Sequence, residues 1–88
     1  MEVSYAPSFI RQYKNLPALL KQEVKEKVSL FADIRNHQAL RVHKLKGSLK
    51  EQYGLNVNYE IRIVFWYMKT KPKEAVLLAI GDHEVYKK

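Results

Sequence analysis

The strongest constraint on this chain is a change in hydrophobic period near its midpoint. In the first part the apolar residues recur at helical spacing, in the series Leu16, Leu20, Val24, Val28 and Phe31. From about residue 40 the period changes, and apolar residues come to alternate with polar neighbours, which is the pattern of strands with one buried face. Helices followed by strands predict an α+β domain in which the helices cover one face of a small sheet.

The N-terminal part predicts a short strand and a helical hairpin. Val3 and Tyr5 alternate with polar residues, and Pro7 follows at a position where a first helical turn tolerates proline. Asn15 and Pro17 repeat this helix-start signal, with Asn15 as a candidate N-cap. We therefore expect a second helix over about residues 17–33.

The C-terminal part predicts at least three strands. Two alternating series contain Tyr53, Leu55, Val57 and Tyr59, and then Ile61, Ile63, Phe65 and Tyr67. Residues 75–80 are apolar on both faces, which indicates an interior strand, and lysine-rich residues 69–73 indicate a solvated turn. We expect an antiparallel sheet of three to five strands within a single domain over residues 1–88. The face opposite to the helices is then left for chemistry or a partner.

Charge narrows the choice of partner. Sixteen Lys and Arg against nine Asp and Glu leave a formal net charge of +7. So large an excess on a small domain favours a nucleic acid or an acidic protein as partner, although it also serves general solubility. Cysteine is absent, so disulfides and thiolate metal sites are excluded, which fits a cytoplasmic protein. No apolar run approaches the ~20 residues of a membrane span, and no membrane partner is expected.

Two histidines and one arginine are the candidate functional residues. His43 and His83 each lie at a predicted strand edge, and two imidazoles brought together suit metal-free RNA cleavage as acid and base. Arg62 interrupts an apolar strand, where its fork of donors suits a phosphate or a salt bridge to Glu60 or Glu84. Glycine loops, nucleophile elbows and zinc-ligand spacings are absent from the sequence, so no cofactor is expected.

The segments VHKLKGSLKEQYGLNVNYEIRIVFWY and AVLLAIGDHEVY resemble the RelE/ParE superfamily of toxins from bacterial and archaeal toxin–antitoxin modules. The order and spacing of their motifs carry this resemblance through nearly the whole chain. It implies a ribosome-dependent mRNA endonuclease that works without metal, by attack of the 2′-hydroxyl to give a 2′,3′-cyclic phosphate. The strand lysines of the RelE branch fall at Gly54 and Asn56 here, and its tail arginine is absent. The chain is more similar to the histidine-using YafQ-like branch.

That resemblance implies a role for each candidate residue. His83 would be the general acid, and His43 or Glu60 the general base. Arg62 would stabilise the phosphorane and Tyr86 would position the scissile nucleotide. The RNA-binding residues would be Lys44, Lys46, Lys50, Tyr53 and Asn56. A further strand histidine of the YafQ-like branch falls at Asn56, so one contact of that branch is missing.

The resemblance also implies partners and rivals. The partners would be the ribosome, mRNA and a cognate antitoxin whose acidic, partly disordered segment folds on contact, with oligomers forming only through the antitoxin. ParE-like relatives instead inhibit DNA gyrase and generally lack the histidine pair. A catalytically degenerate module that only binds an antitoxin is the other alternative.

Overall fold

The computed structural model describes residues 1–46, 51–69, 73–82 and 85. Two α-helices precede most of a five-stranded sheet whose spatial order is β1-β5-β4-β3-β2. The described elements are β1 (Glu2–Tyr5), α1 (Pro7–Lys14), α2 (Ala18–Phe31), a 3₁₀ helix (Ile34–Asn36), β2 (His43–Lys44), β3 (Tyr53–Asn56), β4 (Arg62–Met68) and β5 (Glu74–Gly81). The predicted α+β architecture is confirmed, and the apolar strand is interior to the sheet as expected.

The sheet is mixed, which the sequence did not predict. β1 pairs in parallel with β5, through the register Val3 with Ala75 and Tyr5 with Leu77, whereas all the other described pairs are antiparallel. Alternation along a strand records which face is buried but not which neighbour it pairs with. The direction of β1 is therefore set by long-range pairing.

Aromatic and branched side chains between the helices and the sheet form the main core. Phe31 of α2 and Phe65 of β4 are fully buried, and their ring centroids lie 4.6 Å apart in an edge-to-face arrangement. Their neighbours Val24, Leu55, Ile63 and Leu77 are also almost completely buried. The helical spacing of α2 and the alternation of β4 therefore meet at one interface, as predicted.

Two predicted boundaries were wrong. Asn15 is the C-cap of α1, where its N–H donates to the carbonyls of Gln12 and Tyr13, and Pro17 occupies the N-cap position of α2. The strand predicted to extend to Tyr59 ends at Asn56, because Asn58 starts a turn. Its Oδ1 accepts bonds of 2.8 Å from the N–H groups of Glu60 and Ile61, leaving Tyr59 90% exposed at the tip.

Candidate active site

The strand register brings three of the predicted site residues to one face. Asn56 on β3 pairs with Arg62 on β4, and Arg62 pairs with Gly81 on β5. Two residues before Asn56 on β3, Gly54 pairs with His43 on β2. Directly paired residues point to the same side of an antiparallel sheet, so these side chains share the face opposite to the helices, which we call the outer face. Strand spacings of ~4.8 Å and rises of ~3.3 Å place the Cα atoms of His43 and Arg62 roughly 12 Å apart.

The centre of the outer face is covered by a second apolar cluster. Leu45 and Val64 are its buried members, and Leu78, Ala79 and Val85 pack against them. The sequence suggested that the outer face is uncovered, but these apolar side chains cover its centre. The polar row of Asn56 and Arg62 lies beside this cluster, which gives it an apolar border.

Arg62 is half-buried and is held by the backbone. Its Nη1 donates to the carbonyl of Asn58 and, at 3.3 Å, to that of Ile61. The salt bridge to Glu60 considered from the sequence is not found, and Glu84 lies outside the described residues. Over the described ranges the single ion pair is Arg35 with Asp33 at 2.7 Å, whose hydrogen bonds lower the pKa of Asp33 to about 2.

The guanidinium of Arg62 therefore keeps donors for a ligand. In the described part of the structure, its hydrogen bonds all leave from Nη1. Nε–H and Nη2 form the edge of the fork that grips two oxygens of one phosphate. An arginine fixed at one nitrogen and open at the others is preorganised for an anion.

His43 is exposed on the short edge strand β2, and its tautomer is set by the backbone. Nδ1 lies 2.8 Å from the carbonyl oxygen of Arg41. A carbonyl only accepts, so Nδ1 carries the proton and Nε2 holds the lone pair of the neutral ring. This is the form in which an imidazole takes a proton from a hydroxyl group.

Glu60 does not approach His43. It is exposed in the turn 57–60, beyond the row of Asn56 and Arg62, whereas His43 pairs with Gly54 on the other side of that row. The register therefore separates the two candidate bases and leaves Glu60 at the end of the sheet. His37 has a packing function: Nε2 donates to the Phe31 carbonyl, and the two rings stack 4.8 Å apart.

The predicted RNA-binding residues divide between two faces. Lys44 and Lys46 are exposed and flank His43 closely in sequence, but Lys44 pairs with Tyr53 and therefore points to the other side of the sheet from His43. Lys50 lies outside the described residues. Tyr53 belongs to the opposite side of the sheet, where its ring contacts Phe65 at 5.6 Å and Tyr67 at 4.9 Å. The geometry thus gives Tyr53 a packing role in the core and does not bring it to the outer face.

The two tail candidates, His83 and Tyr86, lie outside the described residues, whereas Gly81, Asp82 and Val85 are described. Gly81 pairs with Arg62, and the N–H of Val85 donates to the Asp82 carbonyl at 3.0 Å. Val85 in turn packs into the outer-face cluster.

Sequence reasoning missed two residues that hold this site. Asn58 forms the turn, supplies the carbonyl that Arg62 binds, and donates from Nδ2 to Glu23 at 2.9 Å. Arg41 adopts a left-handed backbone with φ of 56° while its carbonyl accepts from His43. An asparagine placed between two strands is a turn signal that the sequence did contain. The conformation of Arg41 left no such signal.

Other classes of site are not found in the described residues. Across residues 1–46, 51–69, 73–82 and 85, no group of three His, Cys, Asp or Glu side chains is arranged to hold a metal ion. No helix in these ranges is long and apolar enough to cross a membrane.

Solved structures decide the fold family. YafQ from E. coli superposes with a TM-score of 0.78 over 99% of this chain and 98% of its own, at 13% identity. The YoeB–YefM complex from Staphylococcus aureus matches at 0.71 and 16% identity, covering 94% of this chain and 97% of the other. The archaeal RelE–RelB complex from Pyrococcus horikoshii matches at 0.70 and 15%, over 92% of each chain. The fold is that of the RelE/ParE toxins.

Within the RelE/ParE fold, the chemistry of this chain has to be argued from its own residues. At 13–16% identity the likeness establishes the architecture alone. No protein-family model matches the sequence, and no curated protein matches it. The sequence-based assignment to this superfamily agrees with the fold, and the histidines, Arg62 and the turn at Asn58 carry the functional argument.

Proposed function

We propose that this protein is the toxin of a toxin–antitoxin module and acts as a metal-independent endoribonuclease on mRNA in the ribosome. The observation that carries the proposal is the state of Arg62. Its guanidinium is fixed by two backbone carbonyls, has no carboxylate partner among the described residues, and lies in one row with Asn56 and Gly81. A preorganised cation on a sheet face is suited to the charge of a phosphorane.

The proposed reaction is a transesterification within RNA. Nε2 of His43 takes the proton of a 2′-hydroxyl, and the 2′-oxygen forms a bond to the adjacent phosphorus. Arg62 stabilises the charge of the phosphorane, and His83 donates a proton to the departing 5′-oxygen. The products are a 2′,3′-cyclic phosphate and a 5′-hydroxyl. His43 is favoured over Glu60 as base because its tautomer is set and because Glu60 lies at the far end of the turn.

The remaining residues bind RNA in this proposal. Lys44 and Lys46 are exposed and lie close to His43 in sequence, and together with Lys50 they would contact phosphates of mRNA or ribosomal RNA. Tyr86 would position the scissile nucleotide, and Asn56 would hydrogen-bond beside Arg62.

An antitoxin is the proposed protein partner. The YoeB–YefM and RelE–RelB structures are complexes, and a net charge of +7 complements an acidic segment that folds on contact. Such a segment would silence the toxin by covering Arg62 and the tail. Oligomers would then form through the antitoxin.

Gly81 provides a test of how the tail supports activity. A methyl group at this position would lie 2.7 Å from Cγ1 of Val85, and valine is stiff at χ1. We expect Gly81→Ala to destabilise the fold by about 1–3 kcal/mol and to slow cleavage by displacing Val85. Thermal melts and cleavage rates of the purified variants measure both effects.

Val85→Ala supplies the control, because it removes the atom that clashes. The double variant should cleave faster than Gly81→Ala alone, a non-additive rescue. Equal rates for the two would mean that the contact between Gly81 and Val85 does not position the tail.

The function itself is tested by the chemistry of the RNA ends. Purified protein is mixed with ribosomes that carry an mRNA with an empty A site, and in parallel with the mRNA alone. We expect cleavage on the ribosome, fragments that end in a 2′,3′-cyclic phosphate, and loss of cleavage with a 2′-deoxy nucleotide at the cut. Fragments with a 5′-phosphate would contradict the proposed mechanism.

A further inference from the structure

A cavity of about 460 Å³ opens beside Arg62, where α2 meets the turn between β3 and β4. The residues that line it include Arg62 and Asn56 of the sheet, Lys27 of α2, Arg41, and Tyr59 of the turn. We call this cavity the turn pocket. It shares Arg62 and Asn56 with the proposed phosphate site and adds the side chains of Lys27, Arg41 and Tyr59, which have no role there.

The turn pocket has a cationic lining. Lys27, Arg41 and Arg62 all border it, and the described residues that line it include no acid. Glu23 reaches one lining residue from outside this set, since its Oε1 accepts from Nδ2 of Asn58. Three cations without a neutralising carboxylate in the lining favour binding of an anion with several charged oxygens.

The backbone around the turn pocket is held in place. The N–H of Asn56 donates to the Leu40 carbonyl at 2.9 Å, which ties the segment before β2 to β3. Arg41 follows with a φ of 56°, a conformation that costs a non-glycine residue energy and that clusters at functional sites. The same residue accepts the hydrogen bond from His43, so the pocket and the proposed base are positioned by one peptide.

Tyr59 adds a surface for stacking. Its side chain is 90% exposed, although it is large and aromatic, and the bonds of Asn58 fix the turn that presents it. An exposed ring beside cations is the arrangement by which proteins hold successive nucleotides of a single strand.

We infer that the turn pocket binds a nucleotide next to the cleaved one in single-stranded RNA, with its base on Tyr59 and its phosphate held by Lys27 and Arg41. This inference rests on the proposed function, because it takes Arg62 to hold the scissile phosphate. It assigns to Lys27, Arg41 and Tyr59 the task of fixing the strand beside that phosphate.

A double-mutant cycle between protein and RNA tests the contact. Cleavage by wild type and Tyr59→Ala is measured on ribosomes programmed with mRNAs that carry an abasic nucleotide at one position near the cut. Tyr59→Ala should lower kcat/KM on intact mRNA by roughly fivefold or more. At one position next to the cut, an abasic nucleotide should lower kcat/KM of the wild type by a similar factor. The same abasic mRNA should not lower kcat/KM of Tyr59→Ala any further, because the ring that contacts the base is already absent. Tyr59→Phe should retain the wild-type value.

The phosphate contacts are tested by the dependence of the single-turnover rate on protein concentration. Lys27→Gln and Arg41→Gly should each raise the half-saturating concentration severalfold, and Lys27→Gln should leave the limiting rate unchanged. Glycine suits position 41 because it adopts the left-handed backbone freely. Lys25→Gln is the matched control, since it removes an exposed charge from the same helix outside the pocket.

The outcomes separate the two proposals. If wild type cuts RNA but abasic effects add to Tyr59→Ala at every position, the turn pocket does not bind the neighbouring base. The inference also fails if Lys27→Gln and Arg41→Gly behave like Lys25→Gln. If wild type cuts no RNA, the proposed function fails and the pocket assignment with it.

Discussion

Replacing His43 with glutamine will slow RNA cleavage by about 10²–10⁴-fold, the range for loss of a positioned acid or base. Glutamine has an N–H that can still donate to the Arg41 carbonyl, so the edge strand should keep its structure. What it lacks is the basic nitrogen that takes the 2′-hydroxyl proton. Single-turnover rates measure this effect.

Glu60→Gln is the matched comparison for His43→Gln. It removes a carboxylate from an exposed turn position that the register separates from His43, so its rate should remain within a few-fold of wild type. The reverse result, a large loss at Glu60 and a small one at His43, would identify Glu60 as the base. The assignment drawn from the imidazole tautomer would then be wrong.

Replacing Arg62 with lysine will lower the limiting cleavage rate by about 10²–10³-fold, as expected when a donor to transition-state charge is lost. Lysine keeps the positive charge, so weakened attraction of RNA does not account for this loss. Arg62 uses one nitrogen to bind two backbone carbonyls and keeps its other nitrogens for the phosphate. Lysine has a single nitrogen and cannot do both. Saturating single-turnover kinetics separate this loss from weaker binding.

Arg35→Lys is the control for that substitution. Arg35 binds the exposed carboxylate of Asp33 through Nε and Nη2 and has no place in the proposed site, so this variant should cleave like wild type. Cleavage by Arg62→Lys at the wild-type rate would show that Arg62 does not stabilise the transition state.

The elements that the sequence predicted are those whose buried residues recur at a regular spacing. The spacing of Val24, Val28 and Phe31 and the alternation of Ile63 and Phe65 follow from their contact with one core, so the helix and the strand were recovered. The parallel pairing of β1 and the cluster on the outer face depend on contacts between distant segments. No local pattern encodes these contacts.

The candidate site was predictable to the same degree. Arg62 was predicted as a site residue because a charged side chain within an apolar strand is either paired or functional. The register of β3 and β4 confirms that it shares the outer face with Asn56. Tyr53 was assigned to RNA although its parity with Leu55 pointed to the core, a signal that was present and was not used. Lys27 and Arg41 meet only through the folded backbone, and neither has a local signature.

The most direct test of ribosome-dependent RNA cleavage is a map of mRNA 5′ ends in cells. Wild type and His83→Ala are each induced from a tightly repressed gene, with equal soluble levels verified. The account predicts new 5′ ends within translated codons for wild type and their loss in His83→Ala. Growth arrest by wild type without such ends would contradict it and favour inhibition of gyrase, and no arrest from soluble protein would indicate a module that only binds its antitoxin.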